Sequence, residues 1–372
     1  MAKKKKVWKS NSGAAAFRGK EDRIRETLSQ IINGESRLLH RPDELYEFIA
    51  KTIDDIEDFK DARLKLELLA WTLRADFLPF KAEDEEREEW DSLFYDAGTF
   101  FVELAGQYDD KDYIADLVHD LALRHVGGEG RSVVFLALNE ILPEERAKAL
   151  LVELLATVDE VDLENREDVL DAIGDMADAM KDTENFTKAA LLKDPDKSNA
   201  TLIDIANEYF VAGDIALAKQ WLGDVQNPGN EDEEAYLDLM AAIADREGRK
   251  SDCVKIARRL YETFPKVIHL GRLCSIVDAS EAQSMLRDYA KFRSGEGFDM
   301  EFLQLLVALK AYDVLKGYLD MFERELTVQD AEILNGISDE LEKAGQKELA
   351  DHIREWTVEE PEEAQAFDDR DN

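Results

Sequence analysis

Residues 202–218 read LIDIANEYFVAGDIALA and residues 237–253 read LDLMAAIADREGRKSDC, two stretches written on one template. A third copy, LNGISDELEKAGQKELA, occupies residues 334–350. Each is anchored on a glycine: Gly213, Gly248 and Gly345. Eleven, eight, seven and four positions earlier stand Leu202, Ile205, Ala206 and Tyr209, then Leu237, Met240, Ala241 and Ala244, then Leu334, Ile337, Ser338 and Leu341. Five positions after each glycine comes a small residue, Ala218, Cys253 or Ala350. The first two glycines are 248 − 213 = 35 residues apart and the third follows at 345 − 248 = 97, close to three such steps. A fixed period near 34 is the mark of stacked helix pairs, each burying its apolar face only against its neighbours. The expected product of such stacking is a long curved surface that binds something.

Outward from these copies, further hairpin turns are expected near Asp182, Ala279 and Ala311, so that the six turns step by 31, 35, 31, 32 and 34 residues. Asp194-Pro195, Asn227-Pro228-Gly229 and Phe264-Pro265 punctuate the ends of second helices, because proline cannot continue a helix. The repeats are expected over 166–361. Before them, residues 20–165 read as an N-terminal helical domain with irregular spacing. Its expected helices are Glu21 to Ile32, one opened by Pro42, Asp61 to Leu78 closed by Pro79, Asp112 to Val126, and a hairpin of Arg131 to Leu142 with Pro143 to Val158. The run from Glu83 to Glu89 is expected to be a loop leading into a helix. Residues 1–19 read as a basic flexible arm, with Lys3, Lys4, Lys5, Lys6 and Lys9 around Trp8. Residues 362–372 read as an acidic tail too poor in apolar surface to order itself.

The chain has 372 residues with 45% hydrophobic content and seven prolines, and period-2 alternation is hard to find, so the expected class is all-α. Its net charge is −37, from 84 acidic against 47 basic residues. Such a field repels nucleic acid and attracts basic partners. Cys253 and Cys274 are too few for a disulfide framework or a zinc site, and no apolar run reaches membrane-spanning length. No secretory leader follows the N-terminal lysines, and the expected location is the cytoplasm, or the nucleus if the lysine tract is an address.

At the template residues the pattern resembles the tetratricopeptide repeat family. The fit is best over Leu237 to Pro265, nearly as good over Leu202 to Val225, and weaker over Leu334 to Thr357, where Arg354 replaces an aromatic or apolar residue. The resemblance implies a right-handed α-solenoid of stacked helical hairpins. It also implies a ligand surface lined by first-helix residues that point away from the hairpin: Ile203, Asn207, Phe210 and Val211; Asp238, Ala242, Asp245 and Arg246; Asn335, Asp339, Glu342 and Lys343. Family members that clamp a peptide carboxylate place lysines, an arginine and asparagines there. Only Asn207 matches, and Ile203 and Asp238 stand where a cation or amide is needed. The implied groove is acidic and suits a basic or amphipathic segment.

Chemistry is hard to find. Of His40, His119, His125, His269 and His352, the two nearest in sequence are six apart, which places them on different faces of a helix. Gly127-Gly128-Glu129-Gly130-Arg131-Ser132 precedes a helix whose N-terminus would suit phosphate, yet no Gly-Lys-Ser/Thr follows and Glu129 repels an anion, so a connector is expected. Carboxylates are too abundant for any pair to mark acid–base catalysis. No catalytic residue, metal or cofactor is expected. The leading expectation is a non-enzymatic interaction scaffold that binds another protein, with nucleic-acid contact limited to the arm. The alternatives are an acidic mimic of nucleic acid that inhibits a basic enzyme, and an accessory factor of a nucleic-acid complex tethered by the lysine arm.

Overall fold

Helix follows helix through the computed structural model, which describes residues 19–76, 84–124, 127–160, 164–326 and 329–356. Among these residues every regular element is helical. The basic arm through Trp8 and the acidic tail from 362 lie outside them. The chain divides into two compact units, Met1–Val225 and Gln226–Asn372. The boundary expected at 165/166, where the period settles, concerns the repeat pattern rather than compactness and stays a proposal.

The first unit holds α1 (Lys20–Ile32), α2 (Pro42–Glu57), α3 (Ala62–Leu73), α4 (Asp84–Gln107), α5 (Lys111–Ala122), α6 (Glu129–Leu136), α7 (Leu138–Ile141), α8 (Glu144–Glu160), α9 (Arg166–Ala179), α10 (Thr183–Lys193), α11 (Asn199–Val211) and α12 (Ile215–Gly223), with a short 3₁₀ turn at Arg37–His40. One apolar cluster from Ile24 to Ala189 forms its core. Three expectations are corrected. α3 stops at Leu73 instead of running to Leu78, because the chain turns so that Asp76 reaches Arg131. The acidic run is already helix at Asp84, as acids suit a helix N-terminus. The helix expected over Arg131 to Leu142 breaks at Ala137 into α6 and α7.

α4 and α6 pack backbone to backbone at two glycines. A Cβ on Gly98 would stand 2.4 Å from the Gly130 carbonyl oxygen, and one on Gly130 would stand 2.6 Å from that of Phe94. Only glycine permits this approach. The glycine-rich connector also wraps Asp76. The Arg131 amide donates to Asp76 Oδ2 at 3.0 Å and the Arg131 Nε to Oδ1 at 2.7 Å, with both side chains 0% exposed. The anion at the α6 N-terminus is thus the protein's own carboxylate, which removes the phosphate-site reading of this loop.

The second unit holds α13 (Asn230–Arg246), α14 (Lys250–Thr263), α15 (Val267–Ile276), α16 (Ala279–Glu296), α17 (Met300–Ala308), α18 (Tyr312–Met321), α19 (Glu323–Leu326), α20 (Ala331–Lys343) and α21 (Lys347–Trp356). Its core cluster runs from Val267 to Ile353. The hairpins α9–α10, α11–α12, α13–α14, α15–α16, α17–α18 and α20–α21 match the six expected turns. The fold is a helical-repeat architecture of consecutive hairpins, with irregular helix pairs ahead of them.

Five of the six turns share one hydrogen-bond pattern. The amide three residues past the helix end reaches back to the carbonyl five residues earlier: Asp182 to Ala177, Asp214 to Tyr209, Arg249 to Ala244, Ala311 to Leu306 and Gln346 to Leu341, all at 2.8–2.9 Å. The closure needs a left-handed residue. Gly213, Gly248 and Gly345 supply it with φ of 87°, 70° and 79°, and Lys181 and Lys310 supply it with φ of 52° and 55°. Two turns without the template glycine therefore have its geometry. In the sixth, Val277 is extended and Asp278 caps α16. The template's small residues Ala206, Ala218, Ala241, Cys253, Ser338 and Ala350 are all buried.

Candidate functional site

In α9, Asp171, Asp175 and Asp178 recur at spacings of four and three, which places them along one helix face. Val169, Leu170, Ala172, Ile173, Met176 and Ala177 are buried on the remainder. In α11, Asp204 and Glu208 repeat the spacing of four beside buried Leu202, Ile203, Ile205 and Ala206. These are first helices of successive hairpins, and their carboxylates converge. Glu208 lies within hydrogen-bonding reach of Asp178. Burial, then the charges of Asp171 and Asp178, push Asp175 up to about 6. Burial, then Asp178 and Asp204, push Glu208 up to about 7. Like charges held together while partly dehydrated cause both shifts.

A cavity of about 470 Å³ opens beside this row, between α9, α10 and α11. Its floor includes Leu170, Gly174, Phe186, Ala189 and Ala190, and its walls carry Glu167, Asp171, Asp175, Asp194 and Asp204. Among the described residues of the lining Lys193 is the single basic one, and it pairs with Asp171. Asp194 Oδ2 accepts from the Ser198 amide and the Thr201 hydroxyl, each at 2.7 Å, and the Ser198 hydroxyl, then the Thr201 hydroxyl and the Ser198 amide, hold its carboxyl down at about 2. The arrangement offers a cation several carboxylates above an apolar floor.

The corresponding surface of the second unit is balanced differently. Between α13 and α15 a cavity of about 610 Å³ is lined by Glu234, Ala235, Asp238, Ile268, His269 and Arg272. Lys266 Nζ pairs with Glu234 at 2.6 Å, His269 Nε2 meets the same carboxylate at 2.8 Å, and Arg272 pairs with Asp238. Lys266 and His269 hold Glu234 below the usual carboxylate range. Ile268 is 72% exposed and separates this cavity from one of about 840 Å³ between α15 and α17. Here acids are answered by cations of the next hairpin, and an apolar side chain is left between them.

The residues expected at the groove fall as follows. In the first unit Ile203 is buried at 4% exposure, while Asn207 is exposed and Phe210 half-buried on α11. In the second unit Asp238 lines the α13–α15 cavity, and Asp245 and Arg246 are exposed at the end of α13. Asn335 is exposed on α20, and Asp339 is bound by Arg354 Nη2 at 2.7 Å. Arg354, the departure from the family pattern, also binds Glu342 at 2.7 Å, so it locks α21 to α20 where an apolar residue would pack. Lys3, Lys4, Lys5, Lys6, Trp8 and Lys9 lie outside the described residues.

The α9 and α11 carboxylates were not among the expected groove residues. Acids are so frequent that no pair stands out, and the α9 hairpin turns on Lys181 instead of glycine, which hid its register. Counted from Lys181, Leu170, Ile173, Gly174 and Ala177 do occupy the template positions. One grouping lies outside every sequence motif: Asp320, Glu323 and His352 bring one ligand atom each within 4.8 Å of one another, with His352 Nε2 3.8 Å from Glu323 Oε1. Both carboxylates are exposed.

No family model matches the chain, and no curated protein matches it. Among solved structures it matches a circular tandem repeat protein with novel repeat topology and enhanced subunit contact surfaces. That match is 13% identical with a TM-score of 0.20, over 91% of this chain and 75% of the other. A superposition this loose carries no argument. The helical-repeat architecture rests on the chain's own helices, turns and packing.

Proposed function

We propose that this protein is a non-enzymatic, helical-repeat interaction scaffold that holds a basic segment of another protein. The observation that carries this reading is the carboxylate row of α9 and α11 beside its apolar-floored cavity. Carboxylates that raise one another's pKa gain most from an incoming cation, because one lysine or arginine relieves desolvation and repulsion together. The apolar floor adds a contact for an alkyl stem or a neighbouring apolar side chain. Asn207 and Phe210 on α11 extend the same proposed surface. Among the described residues no helix is long and apolar enough to cross a membrane. A cytoplasmic location is part of the proposal.

The test is fluorescence anisotropy of a labelled lysine–leucine peptide against the full chain. Saturable one-to-one binding is expected, weakened at least tenfold by Asp171→Asn with Asp204→Asn. An unchanged affinity with unchanged circular dichroism overturns the assignment. Displacement of the chain from a basic protein by duplex DNA, with these substitutions silent, favours nucleic-acid mimicry instead.

A further inference from the structure

The scaffold reading leaves the lysine arm without a task. It carries Lys3, Lys4, Lys5, Lys6 and Lys9 around Trp8, in a chain of net charge −37. The α9–α11 groove offers the converse, with Asp171, Asp175, Asp194 and Asp204 in its walls and Leu170 and Phe186 in its floor. Ammonium groups suit the walls, and an indole or valine side chain suits the floor.

We propose that the Lys3–Lys9 arm of this chain occupies its own α9–α11 groove and competes there with the partner's basic segment. The inference rests on the scaffold reading, because it uses the same groove. Three considerations support it. The charge and apolar pattern of the arm complements that of the groove. The arm joins the described chain at Gly19, in the same compact unit as α9, α10 and α11. Its 18 residues span at most about 60 Å when extended, against a radius of gyration of about 17 Å for a compact unit of this length. A tethered ligand acts at an effective concentration of order millimolar. Even a weak contact then excludes weakly basic segments and admits only a partner with more cations or a better apolar anchor. The arm would set a threshold for binding.

A labelled peptide of residues 1–18 tests this against two forms of the full chain, the natural one and one carrying Lys3→Ser, Lys4→Ser, Lys5→Ser, Lys6→Ser and Lys9→Ser. None of these substitutions alters a core residue among the described ones, which begin at Ile24. The expected result is one-to-one binding to the substituted chain, at least tenfold weaker binding to the natural chain, and loss in the substituted chain on adding Asp171→Asn and Asp204→Asn. Equal affinity for both chains overturns the proposal. So does failure of the 1–18 peptide to bind the substituted chain while the lysine–leucine peptide binds it, an outcome that leaves the scaffold reading standing. If neither peptide binds, the groove assignment itself falls. Concentration-dependent dimerisation of the natural chain alone, by sedimentation, overturns the intramolecular form in favour of exchange between copies.

Discussion

Arg131 and Asp76 form an ion pair with no exposed surface on either side chain, joining the α6 N-terminus to the turn after α3. The pair accounts for the early end of α3 and for the glycines around it. A Cβ on Gly128 would stand 2.1 Å from Asp76 Cγ, so the backbone itself closes over the carboxylate. Removing one partner strands a buried charge, which costs about 3–5 kcal/mol. Asp76→Ala and Arg131→Ala are each expected to lower stability by that amount in urea unfolding. The double change Asp76→Leu, Arg131→Met should recover much of it, and strict additivity of the single effects would refute the pairing.

Gly98→Ala sets a Cβ against the Gly130 carbonyl, and backbone cannot step aside as a flexible side chain does. A loss of about 2–4 kcal/mol, typical of core overpacking or worse, is expected. Gly174 is the contrast. Its added Cβ would meet the Phe186 ring at 3.9 Å, an ordinary contact, and alanine favours helix by about 0.5–1 kcal/mol. Thermal unfolding should place these two variants on opposite sides of the natural chain.

Lys181 and Lys310 hold left-handed backbone at turns where the template uses glycine. That conformation costs a side-chain-bearing residue about 1 kcal/mol or somewhat more. Lys181→Gly and Lys310→Gly should each be stabilising or neutral, whereas Gly213→Ala and Gly248→Ala should each lose about 1 kcal/mol. Chemical-denaturation midpoints decide it, and destabilisation by either lysine-to-glycine change contradicts the turn assignment.

Asp175 and Glu208 have carboxyls raised to about 6 and about 7, above their ordinary values of 3.8 and 4.5. A raised folded-state pKa favours folding where the group is protonated. That contribution is complete below pH 4 and is lost as pH rises through 6 and 7. Glu208→Gln and Asp175→Asn should therefore stabilise the chain at pH 7.5 and flatten its stability profile between pH 5 and 7.5. Unfolding midpoints at pH 5, 6 and 7.5 give the comparison, and parallel profiles for variant and natural chain would count against a converging row.

Part of the chain's acidity has a local structural task. Asp61, Asp110, Asp182, Asp214, Asp278, Asp299 and Asp330 each accept a backbone amide at a helix N-terminus. A many-helix fold with short turns needs many such caps, and aspartate also answers the helix dipole. Alanine at Asp182 or Asp214 should lose about 1 kcal/mol each by the same unfolding assay.

Periodicity was enough to read the helical class, the six repeat turns and the buried small residues. Each depends on spacing within one hairpin, and backbone hydrogen bonding converts that spacing directly into geometry. The turns at Lys181 and Lys310 show where this reading thins, since lysine carries no sign of a left-handed residue and only the closing amide–carbonyl bond reveals it. What joins segments distant in sequence was decided by packing. Asp76 finds Arg131, Gly98 meets Gly130, and Asp178 approaches Glu208 across a whole hairpin. No residue type announces such a partner among 84 acids. A carboxylate's role depends on how dry its place is and which charges stand beside it, and both are properties of the assembled fold.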